Sequence, residues 1–207
     1  MSLWTGEPLV LASKSASRRA LLEAAGIPLV LDPAEVDERA IEQSKAAQAG
    51  AKEVALLLAR EKALATAARH PGRLVLGADQ TLAMIEGTAA DRRFSKPRTR
   101  DAARDQLAFM AGKTHVLHAG AAVARHGKIV FEVVTTARLT MWALTPTFID
   151  AYLAAAGDRV LASVGAYQLE GLGIHLFEKI EGDHFTILGM PLLPLLAYFR
   201  ADGMIVA

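Results

Sequence analysis

The stretch Leu11-Ala12-Ser13-Lys14-Ser15-Ala16-Ser17-Arg18-Arg19 reads as a short buried strand turning through hydroxyl residues into a helix. Free backbone N–H groups at a helix start attract anions, Ser13 and its neighbours add donors, and an arginine clamps phosphate oxygens in two-pronged fashion. The plainer alternative is a capped helix with a solvated Arg18-Arg19 pair. A second stretch, Arg60-Glu61-Lys62, lies on a helix whose residues Val54, Leu57, Leu58, Leu64, Ala65 and Ala68 form one apolar stripe. Glu61 falls in the middle of that stripe and Lys62 on its flank. Buried charges are costly unless paired, so this helix is expected to face a polar cavity there, with an internal Glu–Lys or Glu–Arg pair as the alternative. Third, Leu74-Val75-Leu76-Gly77-Ala78-Asp79 reads as a strand ending on a carboxylate. In open α/β sheets ligands sit beyond the carboxyl ends of strands, where an acid can hold a hard cation. Asp37 and Glu38 are further carboxylates on a loop, and Lys96, before Pro97, stands in an extended segment.

The elements that must position these residues alternate in type, which predicts an α/β fold. Strands are expected at Leu9–Ala12, Leu29–Leu31 and Leu74–Asp79, with helices over about Arg18–Ala25, capped by Ser17, and over Lys52–Arg69. Residues 86–98 look irregular, and Asp101–Met110 makes a helix. Two strands around His115–Arg125 and Ile129–Thr140 meet at an Arg125-His126-Gly127 hairpin. Thr145-Pro146 opens a helix, the Gly-rich stretch Gly165–Gly173 precedes a strand over Ile174–Ile180, a short strand covers Phe185–Leu188, and Pro191 opens the last helix. Met190-Pro191-Leu192-Leu193 faces the core or a dimer seam. Trp4 and Trp142 are expected to pack rather than to stack on bases, and His184 to be a solvated turn residue. No linker separates domains, so residues 1–207 read as one unit with a possible cleft.

Composition bounds the chemistry. The chain has 207 residues and no cysteine, which excludes a disulfide framework, a thiol nucleophile and a Cys-ligated metal. Lys+Arg 23 against Asp+Glu 22 gives a net charge of +1, so a general basic footprint for duplex nucleic acid is absent and any anion site must be local. No segment has the ~18 uninterrupted apolar residues of a membrane span, and the N-terminal charge order is not that of a secretory signal. A soluble, cytoplasmic protein without nucleic-acid or membrane partners is the expectation. The mean hydropathy of +0.26 fits a well-buried sheet or a subunit interface. Several apparent motifs fail: Gly112-Lys113-Thr114 lacks the leading glycine of a phosphate loop, and Ala162-Ser163-Val164-Gly165 that of a nucleophile elbow. Gly171 and Gly173 lack the third glycine of a dinucleotide fingerprint, and His115 and His118 point to opposite faces of a strand.

The ordered set LASKSASRRALLEAAGI, EVDE, LAREKA, LGADQTL, SKP, GAYQLEGLG and EGDHFTILGMPLLPL resembles the Maf family of nucleoside triphosphate pyrophosphatases from about Leu9 to Phe199. The resemblance implies a strongly twisted mixed sheet flanked by helices, two lobes with a deep central cleft, and often a homodimer. It implies cleavage of a nucleoside triphosphate to the monophosphate and pyrophosphate with Mg²⁺ or Mn²⁺. By position, Ser13, Arg18, Arg19, Lys62 and Lys96 would hold the triphosphate. Asp37, Glu38 and Asp79 would supply carboxylates for metal and water, Asp79 as base or principal ligand.

Gln80 after Asp79, Glu170 in Ala166-Tyr167-Gln168-Leu169-Glu170-Gly171, and the spacing of the Arg pair look like the branch acting on 7-methyl-GTP. An acidic acceptor suits a cationic, N–H-bearing methylated guanine, while a metal-binding Glu170 or a Glu170–Lys179 pair is the alternative. The rival readings are a dTTP/UTP pyrophosphatase, a phosphatase releasing orthophosphate, and a non-catalytic nucleotide-binding regulator of septum formation. Two features depart from the family: Ala16 stands where it usually has proline, and the stretch from Gln80 to Lys96, with Asp91-Arg92-Arg93, is longer than its norm.

Overall fold

The computed structural model describes residues 3–45, 49–84 and 92–206. Among these residues seven strands form one mixed sheet: β1 (Leu9–Leu11), β2 (Leu29–Leu31), β3 (Val75–Met84), β4 (Arg92–Phe94), β5 (Thr114–Arg125), β6 (Lys128–Met141) and β7 (Phe177–Glu181). Their order is β2-β1-β3-β5-β6-β7, with β4 pairing β3 antiparallel off that path. β1 runs parallel to both β2 and β3, and β7 antiparallel to β6. The helices are α1 (Ala16–Ala24), α2 (Glu38–Lys45), α3 (Ala51–Ala67), α4 (Arg100–Met110), α5 (Pro146–Ala156), α6 (His184–Ile187) and α7 (Leu192–Ala201). Backbone contacts divide the chain into two compact units. One comprises Met1–Gln80, His118–Thr135 and His184–Ala207; the other Thr81–Leu117 and Thr136–Asp183. The expected Asp91-Arg92-Arg93 tip begins outside the described residues, and β4 occupies part of the stretch expected to be irregular.

In the first unit, strand alternation sorts side chains onto two faces. Leu9, Leu11, Leu74, Leu76, Ala78, Ala121 and Val123 join α1 and α7 residues such as Leu22, Leu195 and Phe199 in one core. Val10, Val75, Ala122 and Ala124 face the opposite way, against Ala59, Ala63 and Ala67 of α3. The contact with α3 is made through glycine. A Cβ added to Gly77 would stand 2.1 Å from the Ala59 carbonyl oxygen, and one on Gly120 would stand 2.5 Å from that of Ala55. Only an alanine face on the helix and glycines on the strands allow this approach.

Several elements differ from expectation, each for a local reason. The cap of α1 is Ser15, whose Oγ accepts from the Arg18 N–H, rather than Ser17. β3 continues five residues beyond Asp79, so that carboxylate sits mid-strand and not at a strand end. Glu38 opens a helix, and the Asp37 carboxylate accepts from the Ala40 N–H at its start. The Ile174–Leu176 run curls into a 3-10 turn before β7, because Gly173 packs against Gln168 backbone, where a Cβ would meet the Gln168 carbonyl oxygen at 2.4 Å. Phe185–Ile187 is helical and Leu188 lies in the turn that follows, so no strand forms there. Gly189 (φ +86°) ends it with Gly189 N–H to Thr186 C=O and Met190 N–H to Phe185 C=O, a left-handed closure that a four-residue apolar run does not advertise. Trp4 packs edge-on against Phe199 as expected, but Trp142 is 50% exposed beyond the end of β6. Met190 and Leu192 are buried, whereas Leu193 faces outward.

The second unit buries a histidine without charge. His115 is 1% exposed, its Nε2 bonds the Tyr167 hydroxyl at 2.8 Å, and its ring lies beside Tyr167 and Phe177. Burial pulls its pKa from 6.5 to about 4. The unfolded chain takes up a proton near 6.5 while the folded chain does not, so this contribution is complete above that pH and is lost as pH falls toward about 4. The full difference is about 3 kcal/mol. Urea midpoints for the protein should therefore fall more steeply between pH 7 and pH 4.5 than those of His115→Phe; parallel acid limbs would refute the assignment.

Candidate active site

Alternation along β3 puts Val75, Gly77 and Asp79 on the α3 face. The close seat of α3 over Gly77 brings Lys62, one turn beyond Ala59, onto Asp79. The Lys62 Nζ donates to Asp79 Oδ1 at 2.5 Å and to Glu38 Oε1 at 2.7 Å. Lys62 and Asp79 are buried, and Glu38 is half-exposed at the start of α2. The α3 register differs from expectation: the buried face runs Val54, Ala55, Leu58, Ala59, Lys62, Ala63 and Thr66. Lys62 is its centre, and Glu61 is the residue on the flank.

Arg18 enters from α1. Its Nη1 donates to the Ala78 carbonyl at 2.8 Å and to Ser13 Oγ at 3.2 Å, and its Nε donates to the Gly189 carbonyl at 2.9 Å. Three of its five N–H donors are thus spent on fixing the guanidinium, and the Nη2 donors make none of these bonds among the described residues. Burial draws the Arg18 pKa below its ordinary value, and the Asp79 and Glu38 charges oppose that shift. Burial also pushes the Asp79 carboxyl above the usual carboxylate range, against the pull of Lys62 and Arg18. A raised carboxyl pKa makes Asp79 a better proton acceptor at neutral pH than a solvated aspartate.

Ser13, Arg18, Glu38, Lys62 and Asp79 therefore meet, and Gln80 Nε2 donates to the Thr186 and Ile187 carbonyls at 3.0 Å, just before the Gly189 carbonyl that holds Arg18. Arg19 instead faces solvent and pairs with Glu23 at 2.8 Å, and Asp37 is exposed with one carboxylate oxygen capping α2. Lys96 and Glu170 are exposed residues of the second unit. The Asp32 carboxylate is a feature that sequence reasoning missed. It accepts from Arg69 at 2.8 and 3.0 Å and pairs with His70 Nε2 at 2.7 Å, anchoring the segment that leads into Glu38. Its only sequence signal was an acid directly after β2.

The set is two cations and two carboxylates, with hydroxyl and carbonyl groups holding one of the cations in place. Such an arrangement can seat the oxygens of a multiply charged anion, accept a proton, and offer hard oxygen ligands to a cation. On an α/β sheet, this is an arrangement able to handle a polyanion.

Residues 8–201 match the Maf family, described as Maf-like protein. A nucleoside triphosphate pyrophosphatase of Bradyrhizobium diazoefficiens is 54% identical over 206 residues, covering 99% of this chain and 99% of that one. A 7-methyl-GTP pyrophosphatase of Mesorhizobium japonicum is 48% identical over 200 residues, 96% of this chain and 98% of its own. A solved nucleoside-triphosphatase, a dITP/XTP pyrophosphatase from Mycobacterium abscessus, shares 15% identity at a TM-score of 0.41 over 95% of this chain and 96% of that one. The chain belongs to the Maf family.

Proposed function

We propose that this protein, acting through one Maf-like domain over residues 1–207, hydrolyses a nucleoside triphosphate to the monophosphate and pyrophosphate. The observation that carries the reading is the convergence of Arg18, Lys62, Asp79 and Glu38 in a family whose relatives bear that activity in their names. Arg18 Nη2 and the Lys62 ammonium meet phosphate oxygens, with Ser13 holding the guanidinium; Arg19 and Lys96 are assigned to the phosphates by family resemblance. Asp79 takes the proton from the attacking water. The water oxygen bonds to the α-phosphorus, the bond from that phosphorus to the bridging oxygen breaks, and pyrophosphate leaves with its charge countered by Lys62 and Arg18. No protein nucleophile is needed.

Asp79 and Glu38 both reach the Lys62 ammonium, so two hard oxygen donors stand close together. A pair of carboxylates suits Mg²⁺ or Mn²⁺ held by one or two protein oxygens plus substrate phosphates. Asp37 is the third carboxylate assigned to it. When bound, the cation polarises phosphate oxygens and lowers the pKa of water.

The 7-methyl-GTP-like preference is supported by Gln80, Glu170 and the Mesorhizobium relative's name, with Glu170 as acceptor for the base's N–H edge. House-cleaning of modified nucleotides, a homodimer and a cytoplasmic location complete the reading. No helix among the described residues is long and apolar enough to cross a membrane. The test is product identification over 7-methyl-GTP, GTP, dTTP and UTP with Mg²⁺. Pyrophosphate should be the first product and 7-methyl-GTP the fastest substrate. Faster dTTP and UTP would reverse the nucleotide assignment, orthophosphate would point to a phosphatase, and tight binding without turnover would favour a regulator.

A further inference from the structure

Glu38 is half-exposed, so burial does not hold its carboxylate 2.7 Å from the Lys62 ammonium; the path of the chain into α2 must do so. That path leaves β2 at Asp32, whose N–H is still paired with the Leu11 carbonyl at 3.2 Å. Pro33 follows, with a fixed φ and no donor, and it confines Asp32 to extended backbone, so the direction of departure is set at this step. The Asp32 carboxylate takes the Arg69 fork on both oxygens, Nη2 to Oδ1 at 2.8 Å and Nε to Oδ2 at 3.0 Å, and Oδ2 also meets His70 Nε2 at 2.7 Å. Arg69 Nη2 reaches the Pro33 carbonyl at 3.4 Å, and the Thr66 hydroxyl donates to the Asp32 carbonyl at 3.4 Å. Beyond Glu38, Ile41 packs against Val54 and Leu58. Leu58, Lys62 and Thr66 recur at helical spacing on one side of α3, and Arg69 stands at the turn that closes it. The segment from Asp32 to Ile41 therefore runs back along that side, pinned at Arg69 and at Leu58, with Glu38 meeting Lys62 between the pins. An ion pair as exposed as that of Arg69 and Asp32 adds little to stability, whereas a two-pronged fork adds geometric specificity.

We infer that Asp32 is a positioning residue: clamped by Arg69 and His70, it sets the line along which residues 33–37 deliver the Glu38 carboxylate to Lys62. It touches no substrate and acts on the reaction through Glu38. For its effect on rate, the inference rests on the triphosphate reading above.

The test compares wild type, Asp32→Ala, Glu38→Gln and the double variant in two measurements. One is amide hydrogen exchange over residues 33–41; the other is pyrophosphate release from 7-methyl-GTP, GTP, dTTP and UTP with Mg²⁺. In Asp32→Ala the segment 33–41 should exchange about fivefold faster while exchange in α3 stays as it was, because only a local hold is lost. On every nucleotide turned over, kcat should fall about fivefold with KM within about twofold, as for an interaction used in the transition state. In the Glu38→Gln background, read under single-turnover conditions, the same change should cost less than about twofold, because residues that act as a unit are not additive. Unchanged exchange, an unchanged kcat, or the full loss recurring without the Glu38 carboxylate overturns the inference. So does exchange that quickens equally in α3, which would make Asp32 a general prop of that helix. Asp32→Asn, which keeps one acceptor oxygen and breaks the fork, carries the same readouts if circular dichroism shows that Asp32→Ala does not fold. Wild-type silence on all four nucleotides would overturn the triphosphate reading, while the exchange measurement would still decide whether Asp32 holds the segment.

Discussion

Asp79→Asn should lower kcat for pyrophosphate release by about a thousandfold, about 4 kcal/mol of barrier, while the protein stays folded. Asparagine preserves the size of the side chain and can still accept a hydrogen bond from Lys62, and Glu38 remains 2.7 Å from the same ammonium to balance its charge. What disappears is the carboxylate whose proton affinity burial raises. The loss should persist at saturating Mg²⁺, with the circular dichroism spectrum and thermal midpoint near those of the parent. Turnover within a few-fold of wild type under those conditions would remove Asp79 from the reaction.

Gly77→Ala should have the largest effect on stability. The new methyl would have to occupy space 2.1 Å from the Ala59 oxygen, 2.5 Å from the Ala63 nitrogen and 3.0 Å from the Ala63 Cα. These are backbone atoms of a 17-residue helix, so no side chain can swing aside and α3 itself must lift. Overpacking of this kind costs about 3 kcal/mol, which for a chain of this length is a drop of about 10 °C in Tm. Because α3 carries Lys62, the variant should also lose activity beyond what its folded fraction explains. A Tm within about 2 °C of the parent would mean that the helix does not seat on Gly77 as described.

The alternation of element types and most element positions were legible in the sequence, because apolar runs, caps and turn residues agreed with one another. The hairpin at His126-Gly127 is an instance: both residues have positive φ, as a two-residue turn between twisted strands requires. Lys62 and Asp79 were legible as chemistry but not as geometry. Leucines set the apparent phase of α3, yet Leu57 and Leu64 are only half-buried while Ala55, Ala59 and Ala63 are fully enclosed. Hydropathy underweights alanine, and the reason alanine is central here, the glycine contacts of β3 and β5, belongs to tertiary structure. Likewise the carbonyls that hold Gln80 and the Nε of Arg18 come from backbone, at a turn whose side chains give little sign of it. Arg19 illustrates the converse. It sits next to Arg18 in a phosphate-type motif, but helical periodicity sends it outward to Glu23.

The pairing of Lys62 with two acids has a consequence for encounter. Arg18 and Lys62 contribute two positive charges, and Asp79 and Glu38 two negative ones, within one small volume. From a Debye length away these four fields largely cancel, so beside a whole-chain charge of +1 they add little steering for a nucleotide diffusing in solution. In the proposed reaction a triphosphate would gain from these four charges mainly at contact range, where each cation meets a phosphate oxygen singly.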